Sequence, residues 1–507
     1  LTSSATHLWR IARWGRTLGA NGALRGIERS PQAPAMVRRL AWLARFGTFA
    51  PQTPRYAEAF GKLGPAAIKL GQALATRPDL VGEAAARDFA ALQDRLPPEP
   101  FAAIRKAIEA GLEKPIATLF HSIEPKAVGA ASVAQVHRAV TTDGRSVAIK
   151  VLRPGVEARI ARDTDTFAWA AAHIEAMGGE ATRLRPRAVI EAFRRWTERE
   201  LDLRMEGASA SELAVDPGDP GLKIPAIDWA RTSKRILTLE WMEGVKVSDP
   251  AALAAAGVDG TRAATILIRA FLHQAIGRGF FHADLHQGNL FALADGRLGV
   301  IDFGIMGRLD RRARVDLAKI LFGLLTGDYV TVARVHFDAG YVPKHHRIED
   351  FAVALRAVGE PIRGLPVKDI SIANLLDGLF AITRQFEMPT QPHLLLLQKT
   401  MVMVEGVAAG LDPHVNTWAI AEPYVREWMR AELGPEARIA DAITTVLGIL
   451  GDAPGFVRRV AKLVPEEIEQ LEAELPVAAR IRLPWWLLLA VAGAGGGIAL
   501  AARAMLG

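Results

Sequence analysis

No cysteine occurs among the 507 residues, so disulfides and thiolate-held metals are excluded and any ion must be held by oxygen or imidazole. That absence suits a reducing compartment. No polar tract long enough to read as disordered interrupts the chain, and half of its residues are hydrophobic, enough for several domains with sizeable cores. Acidic residues are scarce at one end: residues 1–50 hold eight arginines against one glutamate, which accounts for the whole net charge of +7. The remainder is balanced, so the basic excess is local and gives no reason to expect a nucleic-acid partner. Within it, Leu8, Trp9, Ile11, Trp14 and Leu18 are interleaved with Arg10, Arg13 and Arg16. Such a helix suits an anionic membrane surface, and equally a transit peptide or a helix packed on the next domain. The first residue is Leu1, so the true start is expected to lie upstream.

Chemistry concentrates between Phe281 and Gly304, FHADLHQGNLFALADGRLGVIDFG. His282, Asp284 and Asn289 repeat the H-x-D-x-x-x-x-N spacing of a kinase catalytic loop, and Asp302-Phe303-Gly304 repeats D-F-G. Leu290 to Leu293 and Leu298 to Ile301 read as two apolar strands joined at Ala294-Asp295-Gly296, a D-G turn that returns Asp302 to the side of Asn289. Transferring or hydrolysing a γ-phosphoryl group is mostly positioning and charge neutralisation, and Mg²⁺ prefers oxygen ligands. Asp302 and Asn289 are therefore the metal-ligand candidates, and Asp284 is left to orient or deprotonate the nucleophile. A polar turn capped by its own hydrogen bonds would explain His282, Asp284 and His286 alone, but not the full spacing with the hairpin and D-F-G.

Upstream, residues 56–93 read as helices, one of them carrying Lys69-x-Gly71-Gln72; alone, that triplet is a basic helix with a close packing point. Gly129, Ala130, Ala131 and Ser132 stand where a kinase has its glycine-rich loop. Small side chains let backbone N–H groups approach a phosphate, although alanine makes the loop stiffer than glycine would. In Val147-Ala148-Ile149-Lys150-Val151 the period of two places Lys150 opposite the apolar residues, free to reach α- and β-phosphates; V-A-I-K is also the kinase β3 motif. Residues 156–210 read as a long helical region. Glu200 and Glu206, six residues apart, differ by roughly 240° around a helix, so each can pair with a different lysine, and both are candidates to hold Lys150. Glu240-Trp241-Met242-Glu243-Gly244 reads as a hinge between lobes, with Glu240 and Met242 as nucleotide-binding candidates through their backbone.

Downstream, the chain passes from Asp302-Phe303-Gly304 almost directly into a helix near Asp310, leaving no room for a long activation segment and no A-P-E. Docking of a protein substrate is disfavoured on that ground. Leu394 to Ala409 reads as a buried core helix, too interrupted by Gln398, Lys399 and Glu405 to span a bilayer. Leu483 to Ala502 is uncharged over a length of about 30 Å as a helix, the thickness of a membrane's hydrocarbon layer, and Trp485 and Trp486 suit its interface.

Lys69-x-Gly71-Gln72, the loop ending in Ala131-Ser132, Val133-Ala134-Gln135-Val136-His137, Glu200-x-Asp202, His282-Ala283-Asp284-x-His286-x-Gly288-Asn289 and Asp302-Phe303-Gly304 occur in one order. Together, over about residues 55 to 420, they resemble the UbiB family of atypical kinase-like proteins, which support ubiquinone biosynthesis. The resemblance implies an α+β, two-lobed protein-kinase-like fold with an N-terminal helical extension over the active site and a C-terminal transmembrane segment. Its parts would be a basic region 1–50, a helical extension 51–125, an N-lobe 126–244, a helical C-lobe 245–476 and an anchor 480–507. By the same resemblance Lys69 lies over the active site against the Glu200/Asp202 pair, in a regulatory motif with Gly71 and Gln72, and Glu206 is left to hold Lys150. ATP and Mg²⁺ are the implied cofactors, and slow ATP hydrolysis stimulated by membrane or phenolic quinone precursors is the implied activity. Implied partners are membrane lipid, quinone precursors and other proteins of ubiquinone synthesis, with a homodimer left open. The implied location is the bacterial inner membrane with the catalytic domain on its cytoplasmic side. A small-molecule or lipid phosphotransferase and a pseudokinase scaffold are the alternatives; intact Lys150, Asp284, Asn289 and Asp302 count against the scaffold. Two departures stand out: Gly129 replaces a customary alanine, which leaves nucleotide preference less constrained, and Leu285 and Gln287 replace customary prolines.

Overall fold

The computed structural model describes residues 4–29, 35–75, 81–90, 92, 97–176, 185–362, 378, 381–383, 385–388 and 392–433. The chain divides into two compact units, Leu1–Met429 and Arg430–Gly507, and the elements that carry the site belong to the first. The segment Leu483 to Ala502, expected to span a membrane, lies outside the described residues. Among the described residues no helix is long and apolar enough to cross a membrane.

The N-terminal region is helical: α1 (Ser4–Ala20), α2 (Arg25–Arg29) and α3 (Ala35–Arg45). Glycine makes the α1–α3 crossing close, since a Cβ on Gly19 would stand 2.8 Å from the Ala44 carbonyl oxygen. Next come α4 (Tyr56–Leu63), α5 (Pro65–Ala75) and α6 (Glu83–Ala90), gathered around Ile68, Ala85, Phe89 and Leu92. Arg55 cannot cap α4; the Asp88 carboxylate does so from α6, accepting from the backbone of Tyr56 at 2.5 Å and Ala57 at 3.2 Å. Gly71 is the packing point of this small core, because a Cβ there would meet Leu92 Cδ1 at 2.4 Å, Phe60 at 3.0 Å and Phe89 at 3.1 Å.

After α7 (Phe101–Leu112) and the short α8 (Ile116–Leu119) the chain forms β1 (Phe120–Ile123), β2 (Gly129–Ala130), β3 (Ala134–Thr141) and β4 (Ser146–Leu152). With β6 (Ile236–Glu240) they make a five-stranded sheet in the order β1-β3-β4-β6, with β2 pairing β3. The alternation in β4 decides its two faces. Val147, Ile149 and Val151 pack with Ile104 and Ile108 of α7. Leu152 faces the opposite core, with Ala66 of α5 and Leu203 and Leu237, and Lys150 emerges on that side.

Among the described residues the expected long helical region holds three helices, α9 (Val156–Ala176), α10 (Pro186–Glu200) and α11 (Leu203–Val215). The break falls between Glu200 and Glu206 because Asp202 turns into an N-cap, its carboxylate accepting from Arg204 N. β5 (Leu222–Lys223) precedes β6, and β7 (Gly244–Lys246) follows the hinge. Below it, α12 (Pro250–Ala255) and α13 (Gly260–Leu272) lead through a wide turn, His273–Arg278, into β8 (Phe280–His282). The hairpin β9 (Leu290–Leu293) and β10 (Leu298–Val300) closes in the register Leu298 opposite Ala292, and β11 (Met306–Arg308) pairs with β8. Helices α14 (Arg311–Thr326), α15 (Tyr329–Asp338), α16 (Ile348–Gly359), α17 (Pro392–Leu411) and α18 (Thr417–Leu433) follow among the described residues. α17 carries apolar residues all round and runs in the large core beside α13, where Val404 and Ala408 join Leu267 and Phe271.

Candidate active site

Strand β8 delivers His282, which is completely buried. Its Nδ1 accepts from Asp284 N at 3.1 Å, so the ring proton must sit on Nε2, which donates to the Asp302 carbonyl oxygen at 2.6 Å. Burial pushes its pKa below the usual histidine value, which keeps the ring neutral in this role. Gln274, wholly buried in the turn after α13, holds the strand: Oε1 accepts from His282 N at 3.1 Å and Nε2 donates to Pro217 O at 2.8 Å. One turn onward, Asn289 Nδ2 donates to the Asp284 carbonyl at 3.1 Å and Ile301 N donates to the Asn289 carbonyl at 2.9 Å. The hairpin thus returns Asp302 beside Asn289, as the D-G turn implied.

Asp302 takes a left-handed backbone, φ +67, which a non-glycine residue holds only when its surroundings insist. Those surroundings are Gly304 N, which donates to Oδ1 at 3.1 Å, and the buried Phe303, edge-on to His282 with centroids 5.5 Å apart. Lys150 donates to both Glu206 oxygens, at 2.8 and 2.9 Å, and stands 3.5 Å from Asp302 Oδ2. Burial works against the Lys150 charge, but Asp302 and Glu206 outweigh it and raise its pKa. Partial desolvation would raise Asp302, yet Lys150 foremost, then the Gly304 N–H and Lys69, hold it down at about 2. The carboxylate stays ionised and turns half-exposed into the cleft.

Lys69 projects from α5, is itself buried, and donates to Glu200 at the end of α10; its ammonium lies 5.9 Å from the Trp196 ring centre. Glu200 and Glu206 face different lysines, but the cause is the helix break, not rotation along one helix. Asp202, expected beside Lys69, is instead held by Arg204 at 2.6 and 2.9 Å. Gly71 is buried and Gln72 half-buried on the same helix.

The small-residue loop is tied down more than its composition suggests. Gly129 and Ala130 form β2, Ser132 is completely buried, and the Ala131 N–H, expected to point at a phosphate, donates to Ala134 O at 2.8 Å. Arg153, itself buried, donates to Ala131 O at 2.8 Å and to Pro97 O at 2.9 Å. In the Val133 to His137 stretch, Gln135 Oε1 accepts from Glu99 N at 2.8 Å and its amide donates to His137, whose Nδ1 meets Glu124 O at 2.8 Å. At the hinge, Met242 is buried over Gly299, and the Glu240 carboxylate binds Lys223 at 2.5 Å and Ala226 N at 3.2 Å. The Glu240 side chain is therefore spent on the sheet. Arg153 and Gln274 carried no sequence signal because a lone arginine after a strand and a glutamine late in a helix look like surface residues.

The donor set suits a hard cation. Asp302 offers an ionised carboxylate, and Asn289, with its amide nitrogen committed to Asp284 O, keeps its oxygen for a ligand.

Comparison with known proteins gives this site a lineage. The ABC1 atypical kinase-like domain matches residues 91–336, and the UbiB helical domain matches residues 355–416. A Marinobacter nauticus protein named probable protein kinase UbiB is 38% identical over 429 residues, 84% of this chain and 78% of its own. A Xylella fastidiosa protein of the same name is 35% identical over 418 residues, 81% of this chain and 76% of its own. The solved structure of Rv3197 with erythromycin, from Mycobacterium tuberculosis, superposes with a TM-score of 0.50 at 24% identity, over 71% of this chain and 92% of that one. That likeness shows a shared kinase-like fold.

Proposed function

The chain belongs to the UbiB family of atypical kinase-like proteins, and from that premise we propose that it binds ATP with Mg²⁺ and hydrolyses it at a membrane in support of ubiquinone synthesis. The observation that carries the reading is the Glu206–Lys150–Asp302 line, 2.8 Å and then 3.5 Å, which sets a fixed cation against a carboxylate at the mouth of a cleft. Lys150 would grip the α- and β-phosphates, with Glu206 holding it in place. Asp302 and Asn289 would hold Mg²⁺, which supplies charge neutralisation on the phosphates. Asp284, beside them, would orient the attacking oxygen and take its proton.

Two features favour ATP hydrolysis, or transfer to a small acceptor, over modification of a protein. Helix α5 and the Lys69–Glu200 pair stand against this cleft, close enough for Lys69 to act on Asp302. Only Leu309 and Asp310 separate β11 from α14, so the segment on which a peptide would lie is missing. Membrane attachment is supported by the arginine-rich, apolar surface of α1–α3 and, in the sequence, by Leu483 to Ala502. Quinone precursors and other proteins of the same synthesis are the proposed partners.

Calorimetric titration of Mg-ATP into the Asp302→Asn variant tests the core of this reading. Losing a charged ligand should weaken Mg²⁺-dependent binding by at least about tenfold and stop ATP turnover. Unchanged binding and turnover would show that the site is misassigned. Label from the γ-phosphate of ATP appearing on a lipid or small acceptor would replace hydrolysis with phosphotransfer.

A further inference from the structure

Lys399 reaches the cleft from outside the kinase-like domain. It lies on α17, within the stretch matched by the UbiB helical domain, whereas Asp284 lies within the kinase-like match. Its Nζ is 3.9 Å from Asp284 Oδ1, and His286 Nε2 is 3.7 Å from Oδ2 of the same carboxylate. The neighbouring Thr400 is completely buried, and its hydroxyl reaches the Ala283 carbonyl at 3.2 Å as well as Leu396 O at 2.8 Å. Helix α17 is thereby fastened to the catalytic loop one residue before Asp284, at the level where Lys399 projects.

The Lys399–Asp284 pair is too long, and Lys399 at 45% side-chain exposure too well hydrated, for the contact to matter much to stability. Such a pair exchanges readily for a denser anion. The other two lysines of the cleft are committed: Lys150 is clasped by both oxygens of Glu206, and Lys69 is paired with Glu200. Among the described residues Asp284 is the one ion-pair partner of Lys399. A nucleotide whose third phosphate reached toward Asp284 would meet this ammonium first, and the strongly hydrated, flexible lysine head suits a phosphate oxygen as a point charge.

We propose that Lys399 leaves Asp284 for the γ-phosphate oxygens of bound ATP, so that the helical domain supplies the cation that distinguishes a triphosphate from a diphosphate. This rests on the cleft being a nucleotide site. The exchange also frees Asp284 to accept a hydrogen bond from the attacking group. Lys399 becomes a substrate-binding residue, and the helical domain becomes part of the active site.

The test is calorimetric titration of the full chain, with Mg²⁺, by ADP and by a non-hydrolysable ATP analogue. In Lys399→Ala the analogue should bind about tenfold more weakly while ADP binding is unchanged, and Lys399→Arg should recover most of the loss. Melting temperature should not move, since the side chain is exposed. Equal losses for both ligands, or no loss for the analogue, would overturn the assignment of Lys399. Wild-type protein binding neither ligand would overturn the nucleotide reading itself, an outcome separate from failure of Lys399 alone.

Discussion

Glu206 ties the upper lobe to the D-F-G turn of the lower one. Its carboxylate accepts two hydrogen bonds from Lys150 of β4 and lies 3.4 Å from Phe303 N, in the D-F-G turn below. Burial pushes its pKa upward and Lys150 pulls it back. Removing one member of such a pair leaves the other poorly compensated, here Lys150 with Asp302 at 3.5 Å, which costs more than the pair contributes. Glu206→Gln should therefore lower the free energy of unfolding by about 3 kcal/mol, measured by urea denaturation at neutral pH. A change below about 0.5 kcal/mol would mean that the pair behaves as a solvated surface contact. The candidate site residues themselves were legible in the sequence, because Asp284, Asn289 and Asp302 sit at fixed spacing around one hairpin. What holds them was not: Gln274 and Arg153 act through distant backbone carbonyls, and no local pattern encodes such contacts.

At the scale of elements, β4 and the hairpin β9–β10 follow directly from alternation and a D-G turn. The break between α10 and α11 was hidden. Asp202 lies in a charged run where a capping aspartate and a surface aspartate look alike, and the cap is decided only when Leu201 and Leu203 both find the core. Helix α17 shows the reverse case, a buried helix recognised from its apolar length but carrying a carboxylate within it. Burial alone pushes Glu405 up to about 7, well above the ordinary glutamate range. A carboxyl whose folded pKa is raised keeps its proton in the fold after the unfolded chain has lost it. Its contribution to stability is therefore complete below about pH 4.5 and declines as pH rises to about 7. Glu405→Gln mimics the protonated form. It should leave the melting temperature nearly unchanged at pH 5 and raise it at pH 8, by scanning calorimetry in matched buffers. Equal effects at both values would show that the side chain is ionised and solvated throughout.

Across the whole molecule, apolar exposure is uneven. Of the sixteen exposed large hydrophobic residues among those described, nine lie between Leu8 and Phe49: Leu8, Trp9 and Ile27, then Met36, Leu40, Trp42, Leu43, Phe46 and Phe49. The sequence pointed to α1 as the amphipathic element, but its apolar stripe is divided. Trp14 packs on Phe167 of α9, and His7 stacks on Trp169 with centroids 5.6 Å apart, while Leu8 and Trp9 face outward. The broader outward face belongs to α3 and the turn after it, which amphipathicity alone could not assign because it does not say which neighbour a helix will find. Arg38 and Arg39 on α3 have no ion-pair partner among the described residues, unlike Arg45, which binds Glu28 at 2.7 and 2.9 Å. Apolar side chains beside uncommitted arginines fit the boundary of an anionic bilayer. Each arginine near such a surface contributes about 1 kcal/mol, so Arg38→Ala with Arg39→Ala should weaken binding to phosphatidylglycerol vesicles by roughly thirtyfold. Added salt should weaken the wild type toward the variant. Hydrogen exchange in residues 35–49 should slow when the wild-type chain binds these vesicles, and not when it is mixed with neutral ones. Exchange that stays fast there while the protein is vesicle-bound would place the attachment elsewhere and leave this face without a role at the membrane.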